Sequence, residues 1–265
     1  MMITPSSLEA LSEDELKKRA PAVFTNVHKM SQIYSQINTI DVVRALEEAD
    51  YFPVDAKQHK PRCRDPLFVN HIVIMRHMDH IGRSAKELSE VPQILITNSH
   101  NGRTKLRFRA GIYRFVCANG LVIGSDLMKF AIRHAGDSIK EALSFAEMMT
   151  GALPMLTFTI QRLQGINLSV IQCANFARDA AKLRFGESAS SYDPNDLLTM
   201  RRVSDAGFDL WHVFNRVQEN CIVGGIEGVS ENGRSLKSKP INGIERGLTF
   251  NQDLWNLANE YAEAA

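Results

Sequence analysis

The stretch that decides the fold runs from Pro92 to Gly124, PQILITNSHNGRTKLRFRAGIYRFVCANGLVIG. It is rich in β-branched and aromatic residues and is punctuated by Asn-Gly pairs, which predicts strands joined by tight turns. NSHNG (98–102) is expected to be one turn. Asn119-Gly120 is the strongest short hairpin signal in the chain. Strands joined so closely run antiparallel.

Working outward, YFPVDAKQH (51–59) and FVNHIVIMRHM (68–78) read as further strands. Before them the chain reads helical. Ser12 and Glu15 form a capping-box pattern, and Pro21 should stop that helix. Thr39 is placed to cap a second helix, DVVRALEEA. From residue 126 to 220 the chain is expected to be helical again. Asp137 should cap one helix, Pro154 should kink or interrupt it and Gly165 close its continuation. Another helix spans about 169–185, with Val170, Cys173, Ala177 and Ala181 on its apolar side. Asp193-Pro194 marks a helix start. FDLWHVFNRVQEN (208–220) and NQDLWNLANEYA (251–262) complete the helices, and Trp211, Phe214 and Trp255 should pack on the sheet or mediate self-association. Residues 223–247 hold six of the sixteen glycines and are expected to form a loop or flap. Segregated strands and helices predict an α+β fold, a mostly antiparallel sheet near the middle of the chain packed by helices, with a helical C-terminal half. The expected organisation is a helical extension over 1–38, a sheet core over 39–165 and a helical region over 166–265.

The chemical signal lies in the deciding stretch. Arg103, Lys105, Arg107 and Arg109 alternate with Thr104, Leu106 and Phe108. In a strand, alternate side chains share a face, so the four cations point one way while Leu106 and Phe108 face the core. Their repeat of about 6.6–7 Å is comparable with the phosphate repeat of an extended single strand, and twice the ~3.4 Å repeat per duplex strand. Lys57, Lys60, Arg62 and Arg64 extend the cluster. From Lys57 to Arg114 there are twelve Lys and Arg against four Asp and Glu, eight net positive, whereas all 265 residues sum to +1. Such segregation suits a polyanion-binding face on a nearly neutral protein. The competing reading is an edge strand whose cations block edge-to-edge pairing. Tyr51, Tyr113 and Phe115 are either core residues or platforms for stacked bases.

Other signatures are absent. No GxSxG, HExxH, Walker A or GxGxxG occurs. His59, Cys63, His77 and His80 have zinc-like spacings but no second ligand pair. No catalytic residue, metal or cofactor is therefore expected, and the chain is not read as an enzyme. Four scattered cysteines (63, 117, 173 and 221) make no disulfide framework and suit a cytoplasmic setting. No run of 18 apolar residues is present, so no spanning helix and no membrane partner is expected.

Three blocks resemble a known family. They are NSHNGRTKLRFRAGIYRFVCANGLVIG, DLWHVFNRVQENCIVGG with LTFNQDLWNLANEYA, and YSQINTIDVVRALEEADYFPVDAKQHKPR. Together they resemble the family catalogued as domain of unknown function 932, from about residue 34 to the end. The resemblance implies a bacterial plasmid, phage or other mobile element, and no particular reaction. A looser, fold-level comparison is with single-strand annealing proteins of the RecT/Redβ group, in which a basic groove holds DNA and subunits form rings or filaments. The leading expectation is a protein that binds or anneals single-stranded DNA, with homo-oligomers or another protein as further partners. The alternative is a protein-interaction module that inhibits a host defence system, its acidic helical half mimicking DNA or docking a basic partner.

Overall fold

A computed structural model describes residues 9–25, 38–59, 67, 69–83, 90–100, 106–114, 119–122, 129–132 and 138–265. The chain divides into two compact units, Thr4–Leu153 and Pro154–Ala265.

The first unit begins with α1 (Glu13–Arg19), whose Ser12 and Glu15 form the expected reciprocal cap. Three acids in its first turn and three bases in its last complement the helix dipole. A 3-10 turn over Pro21–Phe24 follows. In α2 (Thr39–Glu47) the N-cap is Asn38 rather than Thr39, because Thr39 is wholly buried and its hydroxyl is used elsewhere. Asp50 adopts a left-handed backbone (φ 63°) that turns the chain into the sheet.

The sheet comprises β1 (Tyr51–Gln58), β2 (His71–His77), β3 (Glu90–Asn98), β4 (Leu106–Arg114), β5 (Asn119–Val122) and β6 (Lys129–Ile132). All described pairings are antiparallel, in the order β1-β2-β3-β4, with β5 and β6 both on the far side of β4. Two expectations change here. Asn119 and Gly120 are ladder residues of β5, paired with Arg114 and Tyr113, rather than the turn itself. Residues 129–132, expected within a helical region, form a strand.

One face of the sheet carries Val73, Met75, Ile94, Ile96, Leu106 and Phe108. These pack beneath Leu16 of α1, Val42, Val43 and Leu46 of α2, and Ala142, Phe145 and Ala146 of α3 (Ser138–Gln164). Phe108 and Phe145 meet ring to ring at 5.2 Å. Pro154 does not end α3, which runs on to Gln164, with Gly165 just beyond. The division between the units nevertheless falls between Leu153 and Pro154, twelve residues before the expected boundary at 165. Leu16 of α1, with Ala20 and Val23 after it, belongs to the sheet's core. Asp137 lies outside the described residues. By length and composition alone Ile139–Gln164 would suffice to cross a membrane. Its Ala142, Phe145 and Ala146 are buried in the sheet's core.

The second unit contains α4 (Val170–Phe185), α5 (Leu210–Val223) and α6 (Ile244–Glu263). Ser169 and Gln172 cap α4 reciprocally, and Gly186 ends it with φ 59°. Val170, expected on the apolar side, is 75 % exposed. Trp211, Phe214 and Trp255 are buried against one another within this unit, so they offer no surface for self-association. Asp193-Pro194 starts only a 3-10 turn, Pro194–Leu198. The glycine-rich segment is not a featureless loop. It holds a two-stranded hairpin, β7 (Glu227–Val229) and β8 (Ser235–Lys237).

Buried polar groups of α5 pin the segments around it. Asn220 Nδ2 donates to the carbonyls of Leu197 and Thr199 at 2.9 and 2.8 Å. Glu219 pairs with Arg202 at 2.9 Å, and Gln218 donates to Asn251 of α6 at 2.9 Å. The NRVQEN block is thus a structural clamp. Gly224 (φ 70°) lies so close to Ser238 and Lys239 that any Cβ would meet their backbone at 2.8 Å.

Candidate nucleic-acid interface

Of the cations in the sequence pattern, Arg107, Arg109 and Lys57 belong to the described residues. Arg103, Lys105, Lys60, Arg62 and Arg64 lie outside them. Arg107 and Arg109 sit on β4, which is paired on both sides. Arg107 faces Thr97 of β3 and Ala131 of β6, and Arg109 faces Leu95 and Lys129. The strand is therefore interior. Cations that guard a sheet edge have no edge to guard here. The sheet's edge on the other side is β1, which carries Pro53, a bulge between Pro53 and Asp55, and a backbone bond from Leu11 to the Pro53 carbonyl at 2.7 Å.

Both arginines lie on the face opposite the core, as the alternation requires. Leu106 and Phe108 are fully buried, while Arg107 and Arg109 are half-buried rather than fully exposed. Arg109 Nη1 donates to Thr97 Oγ1 at 3.1 Å, which fixes its side chain along the face. The registers define rows across this face. One runs Lys57, Ile72, Thr97, Arg107, Ala131, and the next Asp55, Ile74, Leu95, Arg109, Lys129. Lys57 therefore shares a row with Arg107 but lies three strands away, roughly 14 Å by strand spacing. Ile72, Ile74 and Leu95 between them are 4–6 % exposed. The described cations thus flank an apolar strip rather than forming one continuous patch. Asp55 is bound to Arg19 at 2.5 Å.

β5 and β6 form one interrupted strand beside these arginines. Gly111 faces Val122, yet Arg109, two residues away, faces Lys129. From one pairing to the other the register moves seven positions in the numbering beyond β4 for two along β4.

Tyr51 is a core residue, 4 % exposed, with its hydroxyl 2.6 Å from Thr150 Oγ1. It is not a stacking platform. Phe115 and Cys63 lie outside the described residues. Among the described residues no group of three or more His, Cys, Asp or Glu could hold a metal ion. His77 and His80 are 6.5 Å apart by ring centres, and His77 faces Asp79. Burial pushes the Cys221 thiol up to about 12, so it is inert at neutral pH.

Sequence reasoning missed a buried polar network at one end of the core face. His71 Nδ1 donates to the Val69 carbonyl at 3.1 Å, so its Nε2 is the acceptor for the Thr39 hydroxyl at 2.8 Å. Thr39 Oγ1 in turn accepts from Asn98 Nδ2 at 3.0 Å, and Asn98 Oδ1 accepts the Ser99 amide at 2.8 Å. His100 stands 5.1 Å from His71 by ring centres and donates to the Ala22 carbonyl at 2.9 Å. Burial, with the nearby His100 second, depresses the His71 pKa to about 3 and holds it neutral. The network ties α2 and the 3-10 turn to β2 and β3. Its signal in the sequence was NSH at 98–100, which looked like a surface turn but is at most 2 % exposed.

Fold and site together define an α+β protein whose antiparallel sheet is covered by helices on one face and carries paired arginines on an interior strand of the other. The chain belongs to the family Domain of unknown function (DUF932), which matches residues 27–255. It is 30 % identical over 251 residues to UPF0380 protein YfjQ of Escherichia coli (strain K12), covering 94 % of this chain and 90 % of that protein. The same figures hold for UPF0380 protein YafZ of the same organism. No solved structure matches, so the looser comparison with RecT/Redβ proteins gains no structural counterpart.

Proposed function

We propose that this protein binds nucleic acid, single strands in preference, through the sheet face that bears Arg107 and Arg109, and that it acts as a binding or annealing protein rather than as an enzyme. The observation that carries this reading is the placement of both arginines on one face of an interior strand whose alternate residues fill the core. No edge needs their charge. The charge of +8 between Lys57 and Arg114 supports the same reading. A cytoplasmic, mobile-element setting and self-association along DNA belong to the proposal through the family resemblance. The rival, DNA mimicry by an acidic helical half, has less support. Residues 154–265 carry eleven Lys and Arg against thirteen Asp and Glu, a charge of only −2.

The test is anisotropy of labelled single- and double-stranded DNA across a salt series. Each phosphate contact to a single strand contributes about −0.7 to the slope of log affinity against log salt. Arg107→Gln with Arg109→Gln should flatten that slope by roughly 1.4, and adding Arg103→Gln and Lys105→Gln by two to three in all. Affinity should fall alike for all sequences, since phosphate contacts carry no base information. An unchanged slope in a folded variant would remove the face from the interface. A wild type that binds no DNA at low salt would favour a protein partner.

A further inference from the structure

We infer that the exposed side of α3 is a self-association surface, on which a second copy of this chain lays its own α3 antiparallel, with Met155 of each copy seated over Gly151 of the other. The inference does not rest on the nucleic-acid reading above, because it concerns the protein without DNA.

α3 is apolar over most of its length yet poorly covered, with 21 % of its most apolar stretch buried. Its buried residues Ala142, Phe145, Ala146, Ile160 and Leu163 lie along one side of the helix. The side turned away from them presents Ser144, Met148, Gly151, Met155, Phe158 and Arg162, all exposed, with Met155 and Phe158 each at 68 % and Met148 at 46 %. These six follow one another at steps of four, three, four, three and four. That alternation is the narrow seam of a coiled coil rather than the broader stripe of a helix docked on its own core. Apolar side chains bared together on a folded surface mark interaction sites. Gly151, at the middle of the seam, is a poor helix former. A Cβ there would meet nothing within 4 Å, so no neighbour within the chain requires a glycine. A close approach from outside does.

The seam is complementary to itself, which selects a second copy as its occupant. An antiparallel copy related by a two-fold axis near residue 153 sets Gly151 opposite Met155, Met148 opposite Phe158 and Ser144 opposite Arg162, each pair made twice. Two of these layers place a small residue against a long one, and the third places a thioether against a ring, a favourable contact. Charge fixes the direction. Residues 138–147 carry Glu141 and Glu147 against Lys140, a charge of −1, whereas 148–164 carry Arg162 alone, a charge of +1. Antiparallel pairing brings Arg162 within one turn of Glu141 and Glu147 of the second copy, which flank the seam on its two sides. Arg162 Nη2 donates to the Ala262 carbonyl at 3.1 Å, and a guanidinium has further N–H donors for a carboxylate. A parallel pair would set like on like, arginine beside arginine. Because α3 is already held helical by its buried side, pairing adds no cost of ordering the helix.

The test is sedimentation equilibrium of the full chain without DNA, over roughly 1–100 μM, where a monomer–dimer equilibrium is expected. Phe158→Ala should raise the dissociation constant about tenfold or more, as each dimer loses the ring twice. Gly151→Glu puts a carboxylate at the centre of the seam and should leave a monomer. Both positions are exposed and glutamate is a better helix former than glycine, so circular dichroism should show both variants folded. Glu147→Arg and Arg162→Glu should each weaken the dimer, and an equimolar mixture of the two should associate more tightly than either alone. In a parallel pair each of these substitutions would exchange one like-charge contact for another, so weakening in both singles belongs to the antiparallel register. A wild type that stays monomeric, a dimer that Phe158→Ala and Gly151→Glu leave unchanged, or charge variants as tight as wild type overturns the inference. None of these results touches the arginine face, which is read by DNA titration alone.

Discussion

At the scale of single residues, the buried histidine sets how the protein meets acid. His71 is held neutral with a pKa of about 3, against about 6.5 in an unfolded chain. Below pH 6.5 the unfolded state therefore takes up a proton that the folded state refuses, and stability falls as pH falls from 6.5 towards 3. The limiting slope is about 1.4 kcal/mol per pH unit for one such group. His71→Asn should be less stable at pH 7, because Thr39 and Val69 lose their partner. It should also lose less on going to pH 5 than wild type does. Urea midpoints at the two pH values check this, and parallel pH dependences would show that His71 does not control acid sensitivity. None of this network was legible in advance. Thr39 carries the type of residue that caps helices, and NSH the type that makes turns. Only the tertiary pairing of His71 with Asn98 in the sheet turns them into buried partners.

At the scale of elements, alternation was the reliable guide and local turn chemistry was not. β1 to β4 follow from runs of Val, Ile and aromatic residues, and the inward path of Leu106 and Phe108 follows from their period of two. β6 escaped because four residues, KFAI, are too few to display that period. Asn-Gly at 119–120 misled because cross-strand bonding to Tyr113 and Arg114 took precedence over its turn preference. The site was legible to the same degree. Its face and sign could be read from the cations of β4, but its interior position depends on β6. The two sides of β4 should respond differently to substitution. Phe108→Ala should cost about 3–5 kcal/mol, as for a large buried ring that leaves a cavity. Arg107→Gln should change stability by less than about 1 kcal/mol. Denaturant titration separates the two, and equal losses would mean that the arginine is a packing residue.

At the scale of the whole molecule, both tryptophans, Trp211 and Trp255, belong to the unit formed by Pro154–Ala265. Their fluorescence reports that unit, whereas far-UV circular dichroism reports the chain. Each unit has its own apolar centre, and a chain of two such units departs readily from two-state unfolding. Phe108→Ala is therefore expected to lower the midpoint seen by circular dichroism more than the one seen by tryptophan emission. Coincident shifts would show one cooperative block. The division inside α3 was not legible beforehand, because helical periodicity continues on both sides of it and Pro154 does not end the helix.

The interrupted outer strand has a practical consequence. β5 and β6 are each registered by their own bonds to β4, so the number of residues between Val122 and Lys129 is not dictated by either ladder. That interval is a natural point for grafting. A peptide epitope or a single cysteine for a crosslinker inserted in that interval would leave both ladders their own bonds to β4, with Lys129, at its end, still registered opposite Arg109.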